Sequence, residues 1–475
     1  MPSVYRSVPI NVAGPSNASR SSQLTSSVTL NFYQEQNQGA KQDYVLMPFP
    51  GLKRESSVTG IDRGMHQMIE IGYRVAGNSL YSFDQNGTHA EIGSIPGSGR
   101  CIFADDGQNL FVVTDRAVYK YDSISGVIAN VTSGNIGSPN GVAYLNDKFI
   151  YDRGQGNDFA VSNVGAGETV NIANIAGAIS DPDDLLMCYA FRQSMFFYGS
   201  RTIETWYDKG TGSPPLDRID GQIFPVGLAA IYSLSHNDTA MYFLGDDRQI
   251  YQFTGAKPTR VSSPSLSNEI EGYSVVSDAI GWCFTIQGQN FYCITFPTES
   301  KTWVINETFG KNGWVQISSG IGGQSYGATS YVYVYGKHWL AGEHNGALYS
   351  WDLETYQNDG EVMERRRTFP PISGSSLGAA GRRLQMSKIE IKMEKGVGLI
   401  SGQGDDPQII VEISTDGHTY MEIGRPKIGR LGDFSLKVEA FALVTFYDLT
   451  VRLTVTDPVF CSIHAIDIDI KEAGR

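Results

Sequence analysis

The 475-residue sequence is short of cysteine, of positive charge and of long apolar runs. Its five cysteines (Cys101, Cys188, Cys283, Cys293 and Cys461) are odd in number and scattered, and no two have the close spacing of a zinc ribbon or a redox motif. Reduced, mostly buried thiols in a protein made in a reducing cytoplasm are expected. No apolar run approaches the roughly 18 residues of a membrane span, and no apolar signal region follows Met1. The chain is therefore expected to be soluble, not Sec-exported and not inserted in a membrane. Charged residues are only 18% of the sequence, with 37 Lys+Arg against 50 Asp+Glu, a net charge of −13. From Glu361 onward the balance is 15 against 16, which leaves 22 against 34, a net of −12, for the first 360 residues. Tight DNA binding needs clustered Lys and Arg on the phosphates, and an acidic body does not supply it.

Glycine (53), tyrosine (25) and phenylalanine (22) are plentiful instead. Glycine punctuates turns, and aromatics suit the half-buried face of a strand, so many short strands joined by tight turns are expected. One strand pattern recurs: Leu80-Tyr81-Ser82-Phe83-Asp84, Val118-Tyr119-Lys120-Tyr121-Asp122, Ile203-Glu204-Thr205-Trp206, Ile250-Tyr251-Gln252-Phe253 and Leu348-Tyr349-Ser350-Trp351-Asp352. Weaker copies start at Phe159 and Trp303. The seven copies begin at 80, 118, 159, 203, 250, 303 and 348, a period of 38 to 53 residues, which is the spacing of propeller blades. Within one period, Cys101-Ile-Phe-Ala, Leu110-Phe-Val-Val, the repeat strand and Val127-Ile-Ala-Asn-Val131 make four strands separated by turns at Asp105-Asp106-Gly107, Asp115-Arg116 and Ser125-Gly126. A four-stranded sheet cannot bury both faces alone, so blades must stack radially.

The fold class read from this is all-β: a six- or seven-bladed β-propeller over residues 46–360, with an irregular array of β-sandwiches as the alternative. Residues 361–383 carry Arg365-Arg366-Arg367, Pro370-Pro371 and a Ser/Gly/Ala-rich stretch, and read as a linker. Strict alternation in 384–393, with further strands at 409–414, 434–441, 448–455 and 463–470, reads as a C-terminal antiparallel β-sandwich over residues 384–475. Residues 1–45, rich in Ser, Asn and Gln, read as an extended arm ordered only against a partner.

Candidate sites are few. Asp181-Pro182-Asp183-Asp184 lacks the alternating oxygen ligands and closing glutamate of a Ca²⁺ loop and reads as a turn between blades. Asp246-Asp247 could be a pair of acids for glycoside hydrolysis, but aspartates recur in repeat turns for hairpin geometry. Gly165-Ala-Gly-Glu168 has no Lys-Ser/Thr and is not a phosphate loop. The seven histidines show no H-x-x-x-H spacing. No catalytic, metal or cofactor residue is assigned. Arg365, Arg366 and Arg367 are the one candidate protein interface, pairing with acids of a neighbouring subunit, against a solvated linker as the plain reading.

Phe49-Pro50-Gly51-Leu52, then Arg63-Gly64, Tyr73-Arg74-Val75-Ala76-Gly77 with Leu80-Tyr81, and Gly97-Ser98-Gly99-Arg100 resemble, in the same order, the start of the packaged-DNA stabilisation proteins of short-tailed bacteriophages. The likeness is closest over residues 45–105; a Gly-Ser-x-Thr-Ile-Glu element from Gly199 to Glu204 also fits. The resemblance implies a structural tail hub or nozzle of the virion, made in the host cytoplasm. It implies a hexamer below the portal–adaptor assembly that carries tailspikes or fibres, closes the DNA channel with a tail needle and retains the genome without binding it tightly. The competing readings are a carbohydrate-active or lectin-like propeller, separable by oligomeric state and glycan turnover, and a host interaction propeller, which would be a monomer with no particle association.

Overall fold

The structure, a computed structural model, describes all residues except 1–4, 19–25, 37–42, 155, 179–180, 343–344, 375–376, 378–380 and 474–475. Short alternating strands fold locally into seven antiparallel sets of four; among the described residues six are separate four-stranded sheets and the other, blade 6 below, is part of a larger sheet. Blade 1 is Asp62–Met68, Ile71–Ala76, Ser79–Phe83 and His89–Ser94. Blade 2 is Ile102–Asp105, Asn109–Thr114, Ala117–Asp122 and Val127–Val131. Blade 3 is Val142–Leu145, Lys148–Asp152, Asp158–Val161 and Ile175–Gly177. Blade 4 is Leu185–Phe191, Ser194–Gly199, Ile203–Asp208 and Leu216–Phe224. Blade 5 is Ser235–His236, Met241–Leu244, Ile250–Phe253 and Pro258–Arg260. Blade 6 is Ile280–Ile286, Gln289–Phe296, Lys301–Asn306 and Trp314–Gln316. Blade 7 takes three strands from the far end, Ala328–Val334, Lys337–Gly342 and Ala347–Trp351, and its outer strand, Leu52–Ser57, from the near end. The repeat strand of the sequence is the third strand of every blade.

The cores lie between blades, as stacking of two-faced sheets requires. A separate apolar cluster fills each junction from blades 1 and 2 round to blades 6 and 7. Phe83 of blade 1 packs with Val332, Val334, Trp339 and Leu348 of blade 7, so the last sheet meets the first. The repeat turns have a mechanical use. Asp115, after the second strand of blade 2, accepts the Ser98 and Gly99 N–H groups of the preceding connection at 2.8 and 3.0 Å. Asp152 in blade 3 holds Asn140 and Gly141 at 2.8 Å each, and Asp246 holds Gly227 at 2.9 Å. Blade 4 reverses the roles, with Asp183 of the connection accepting from Arg201 and Thr202. A carboxylate that accepts two amides ties one blade to the loop arriving from the last.

The C-terminal region is a two-sheet sandwich. One sheet runs Phe32–Gln36, Tyr44–Pro48, Ile463–Glu472, Leu384–Met393 and Val438–Phe446, with Arg6–Ile10 added on Ile463–Glu472. The other contains Arg365–Thr368, Asp448–Val455, Ile410–Ser414 and Met421–Gly424. Their inner faces share one core, including Ile389, Ile391, Val451, Leu453, Ile466 and Ile468.

Two expectations are corrected. The stretch 1–45 is not an arm that waits for a partner: its described strands pair with the chain's own C-terminal sheets. Strand pairing is made by backbone groups, so a Ser/Asn/Gln-rich segment with a few apolar residues on one side suffices. Residues 361–383 are not a plain linker either, because Arg365–Thr368 pairs with Asp448–Val455 on one side and with Ser26–Leu30 on the other. Leu30 also meets Gln316, so the sheet is continuous from blade 6 into the sandwich.

Candidate functional site

The residues that carry the family resemblance gather where the ring closes. Leu52 opens the outer strand of blade 7, and Phe49 is buried between blades 6 and 7. Gly51 is required by space, since a Cβ there would overlap the Gln357 carbonyl. Arg63 is 1% exposed, and its guanidinium donates to the carbonyls of Gly99 (2.7 Å), Gly77 (3.0 Å) and Ile95 (2.8 Å) and to Thr114 Oγ1 (2.5 Å). Arg74 Nε donates to Asp62 Oδ1 at 2.8 Å with both side chains fully buried, and Nη1 reaches the Gly346 carbonyl of blade 7 at 3.1 Å. Ser330, also of blade 7, donates to the other oxygen of Asp62. Arg100 extends to the Thr329 carbonyl (3.1 Å) and Ser330 Oγ (3.0 Å). Three arginines thus rivet blades 1, 2 and 7. The motif residues were visible in the sequence, and their task was not; an arginine inside an otherwise apolar strand, Tyr73-Arg74-Val75-Ala76, was the available signal.

Along the axis, the inner strands of blades 1, 2, 4, 5, 6 and 7 border a cavity of about 520 Å³. Its polar groups are engaged: Tyr189 hydroxyl bonds His236 at 2.6 Å within the lining, and His66 Nε2 and Tyr331 hydroxyl bond Asp105 (2.6 Å) and His338 (2.9 Å), which lie outside it. Burial holds His236 and His338 below the ordinary imidazole range. A Ser56–His89 pair at 3.2 Å is not set up as a nucleophile and base. The serine hydroxyl donates to the Gly87 carbonyl at 2.6 Å, and His89 Nε2 is buried without a hydrogen-bond partner to orient the ring. Burial, assisted by Arg74, pushes His89 down to about 4.

The acidic candidates occupy turns. Asp183 and Asp246 are the loop ties described above, Asp247 accepts the Tyr251 hydroxyl at 2.7 Å, and Glu168 pairs with Lys120. Among the described residues no His/Cys/Asp/Glu group could hold a metal ion, and no helix is long and apolar enough to cross a membrane. Cys101, Cys188, Cys293 and Cys461 are buried, with Cys283 partly so, and burial pushes the thiols up, Cys101 and Cys461 to about 11.

Of the candidate run Arg365, Arg366 and Arg367, the first and last are buried within the chain and do not face outward. Their strand is interior to a sheet, which turns Arg365 and Arg367 inward together because alternate residues share a face. Arg365, fully buried, donates to the Asp457 and Val459 carbonyls and lies over Tyr356. Arg367, 2% exposed, donates to Thr29 Oγ1 at 2.6 Å and the Gly14 carbonyl at 3.2 Å. Only Arg366 keeps some exposure, 3.3 Å from Glu364.

The family described as "Bacteriophage P22 Gp10, beta-propeller", the phage stabilisation proteins, matches residues 6–356 of this chain. The chain belongs to that family. This stabilisation protein is accordingly a structural component of the virion tail. No curated protein matches. Among solved structures it is similar to the Neurospora crassa Pan2 WD40 domain (12% identity, TM-score 0.42, 64% of this chain and 94% of that one). It is also similar to the N-terminal domain of Nup159 (9%, TM-score 0.41, 68% and 98%) and to the designed protein Ika8 (11%, TM-score 0.38, 72% and 98%). Likeness at that level carries nothing further.

Proposed function

We propose that this stabilisation protein is the tail hub or nozzle. It docks below the portal–adaptor as a homo-oligomeric ring, a hexamer, carries tailspikes or fibres and the needle, closes the DNA channel and keeps packaged DNA inside. The observation that carries the reading is the family match, which spans the N-terminal strands and every blade. The construction suits a load-bearing part: buried arginine rivets and loop-tying aspartates make the propeller a stiff ring, and the role asks for rigidity and contact surfaces, not catalysis. Its first 360 residues carry a net charge of −12, which repels phosphate and lets a genome pass without sticking. A closed ring of repeated heterologous contacts is what a channel under internal pressure requires.

The test is the DNA content of particles assembled without the protein. Heads that package DNA and then lose it are expected. Particles that stay full and complete their tails would overturn the proposal, as would a purified monomer that turns over glycans.

A further inference from the structure

The N-terminal residues 5–17 cross the seam between sandwich and propeller. Residues 6–10 pair with 466–470, along one edge only among the described residues, and Val12 enters the sandwich core. Tyr5 hydroxyl bonds Gln385 at 3.1 Å, and Arg6 reaches the Leu377 carbonyl at 2.7 Å. Beyond Gly14 the chain changes domain: Ser16 N–H donates to the Trp314 carbonyl of blade 6 at 2.8 Å, and Ser16 Oγ takes the Thr29 N–H at 2.8 Å. Arg367 stands at the crossing point. Its guanidinium gathers the Gly14 and Pro15 carbonyls and Thr29 Oγ1, and Thr29 Oγ1 donates in turn to the Gly14 carbonyl at 2.8 Å. A Cβ at Gly14 would lie 2.6 Å from the guanidinium and would have to displace it. Arg367 has no carboxylate within ion-pair reach among the described residues, its Nε is buried without a partner, and burial pushes it down to about 9.

We propose that residues 5–17 form a detachable strap fixing the sandwich to the propeller, with Arg367 as its buckle. The strap is the element of the fold that opens first. It is paired on one side, most of residues 6–10 are exposed or half-exposed, and few apolar side chains hold it, the features of a low-stability cooperative unit. The buckle is a buried cation held only by neutral acceptors, so its hold is weaker than that of an ion pair of the same burial. Detachment leaves residues 466–470 with an unpaired edge that can accept one further strand.

Hydrogen exchange on the full chain tests this. Amides of residues 6–13 should exchange at least about tenfold faster than those of Leu384–Met393, as a separate unit. Arg367→Met keeps packing over Phe369 but removes the donors; it should speed strap exchange by about 10- to 100-fold, equivalent to one or two hydrogen bonds to a charged group. Blade amides should not change, and Arg367→Lys should fall between. Should Arg367→Met fail to fold, Thr29→Val removes one acceptor of the guanidinium together with the hydroxyl's own bond to the Gly14 carbonyl, leaves the other guanidinium bonds, and should give the same pattern, reduced. Strap amides as slow as the sandwich core, or acceleration shared equally by strap and blades, would overturn the proposal.

Discussion

Asp62→Ala removes the partner of a buried guanidinium at the one place where the propeller ring is closed. In the native chain Asp62 accepts from Arg74 at 2.8 Å and from Ser330 across the blade 1–7 junction, and nothing there is exposed enough for water to substitute. Arg74 already has one nitrogen, Nη2, without a partner. The substitution leaves an uncompensated buried charge and takes the acceptor from the Ser330 hydroxyl, which keeps only the bond it receives from Arg100, a loss of about 3–5 kcal/mol for the charge and about 1 kcal/mol for the hydroxyl. Arg74→Met should cost a comparable amount by orphaning the carboxylate. The double variant Asp62→Ala/Arg74→Met buries neither charge, so it should lie within about 2 kcal/mol of the native protein and above either single variant. Urea unfolding followed by tryptophan fluorescence reads all four corners of the cycle. Additive effects, or single variants within about 1 kcal/mol of wild type, would refute the idea that this pair closes the ring.

Two pH effects of opposite sign follow from burial. Asp152, desolvated although it accepts the Asn140 and Gly141 amides, is raised from 3.8 to about 7, so its stabilising contribution is full below pH about 4 and is lost as pH rises toward 7, at about 1.4 kcal/mol per unit. His89, lowered from 6.5 to about 4, contributes fully above about pH 6.5 and loses that contribution as pH falls toward 4. Asp152→Asn and His89→Gln should each flatten the matching part of the stability–pH curve, and an unchanged slope would refute the assignment. Gly51→Ala should destabilise by about 2 kcal/mol or more by pushing the outer strand of blade 7 off the Gln357 carbonyl, seen as a lower urea midpoint. A thiol reagent should titrate fewer than one of the five cysteines in the native protein and all five once it is unfolded.

The blades are legible in the sequence alone. Their third strands announce themselves at seven positions because a sheet stacked on both faces needs an apolar–aromatic alternation in every copy, and that is a local pattern. The sequence also marks most of the sandwich strands for the same reason: Asp448–Val455 keeps an apolar residue at every second position, Leu384–Met393 does so on either side of a phase break at Lys388 where the register shifts, and a strand expected at 434–441 lies at Val438–Phe446, where the alternation is blurred by the same irregularity. Contacts between distant partners come from the fold and from no local pattern. Leu52–Ser57 belongs to blade 7, some 300 residues away, and no local pattern names its neighbour. Arg365 and Arg367 sit beside prolines and small residues and read as solvated, yet the strands Ser26–Leu30 and Asp448–Val455 close over them. Charge and composition report what a segment costs to bury; whether it is buried depends on acceptors hundreds of residues away, here the carbonyls of Gly14, Asp457 and Val459, and those are supplied only by the fold.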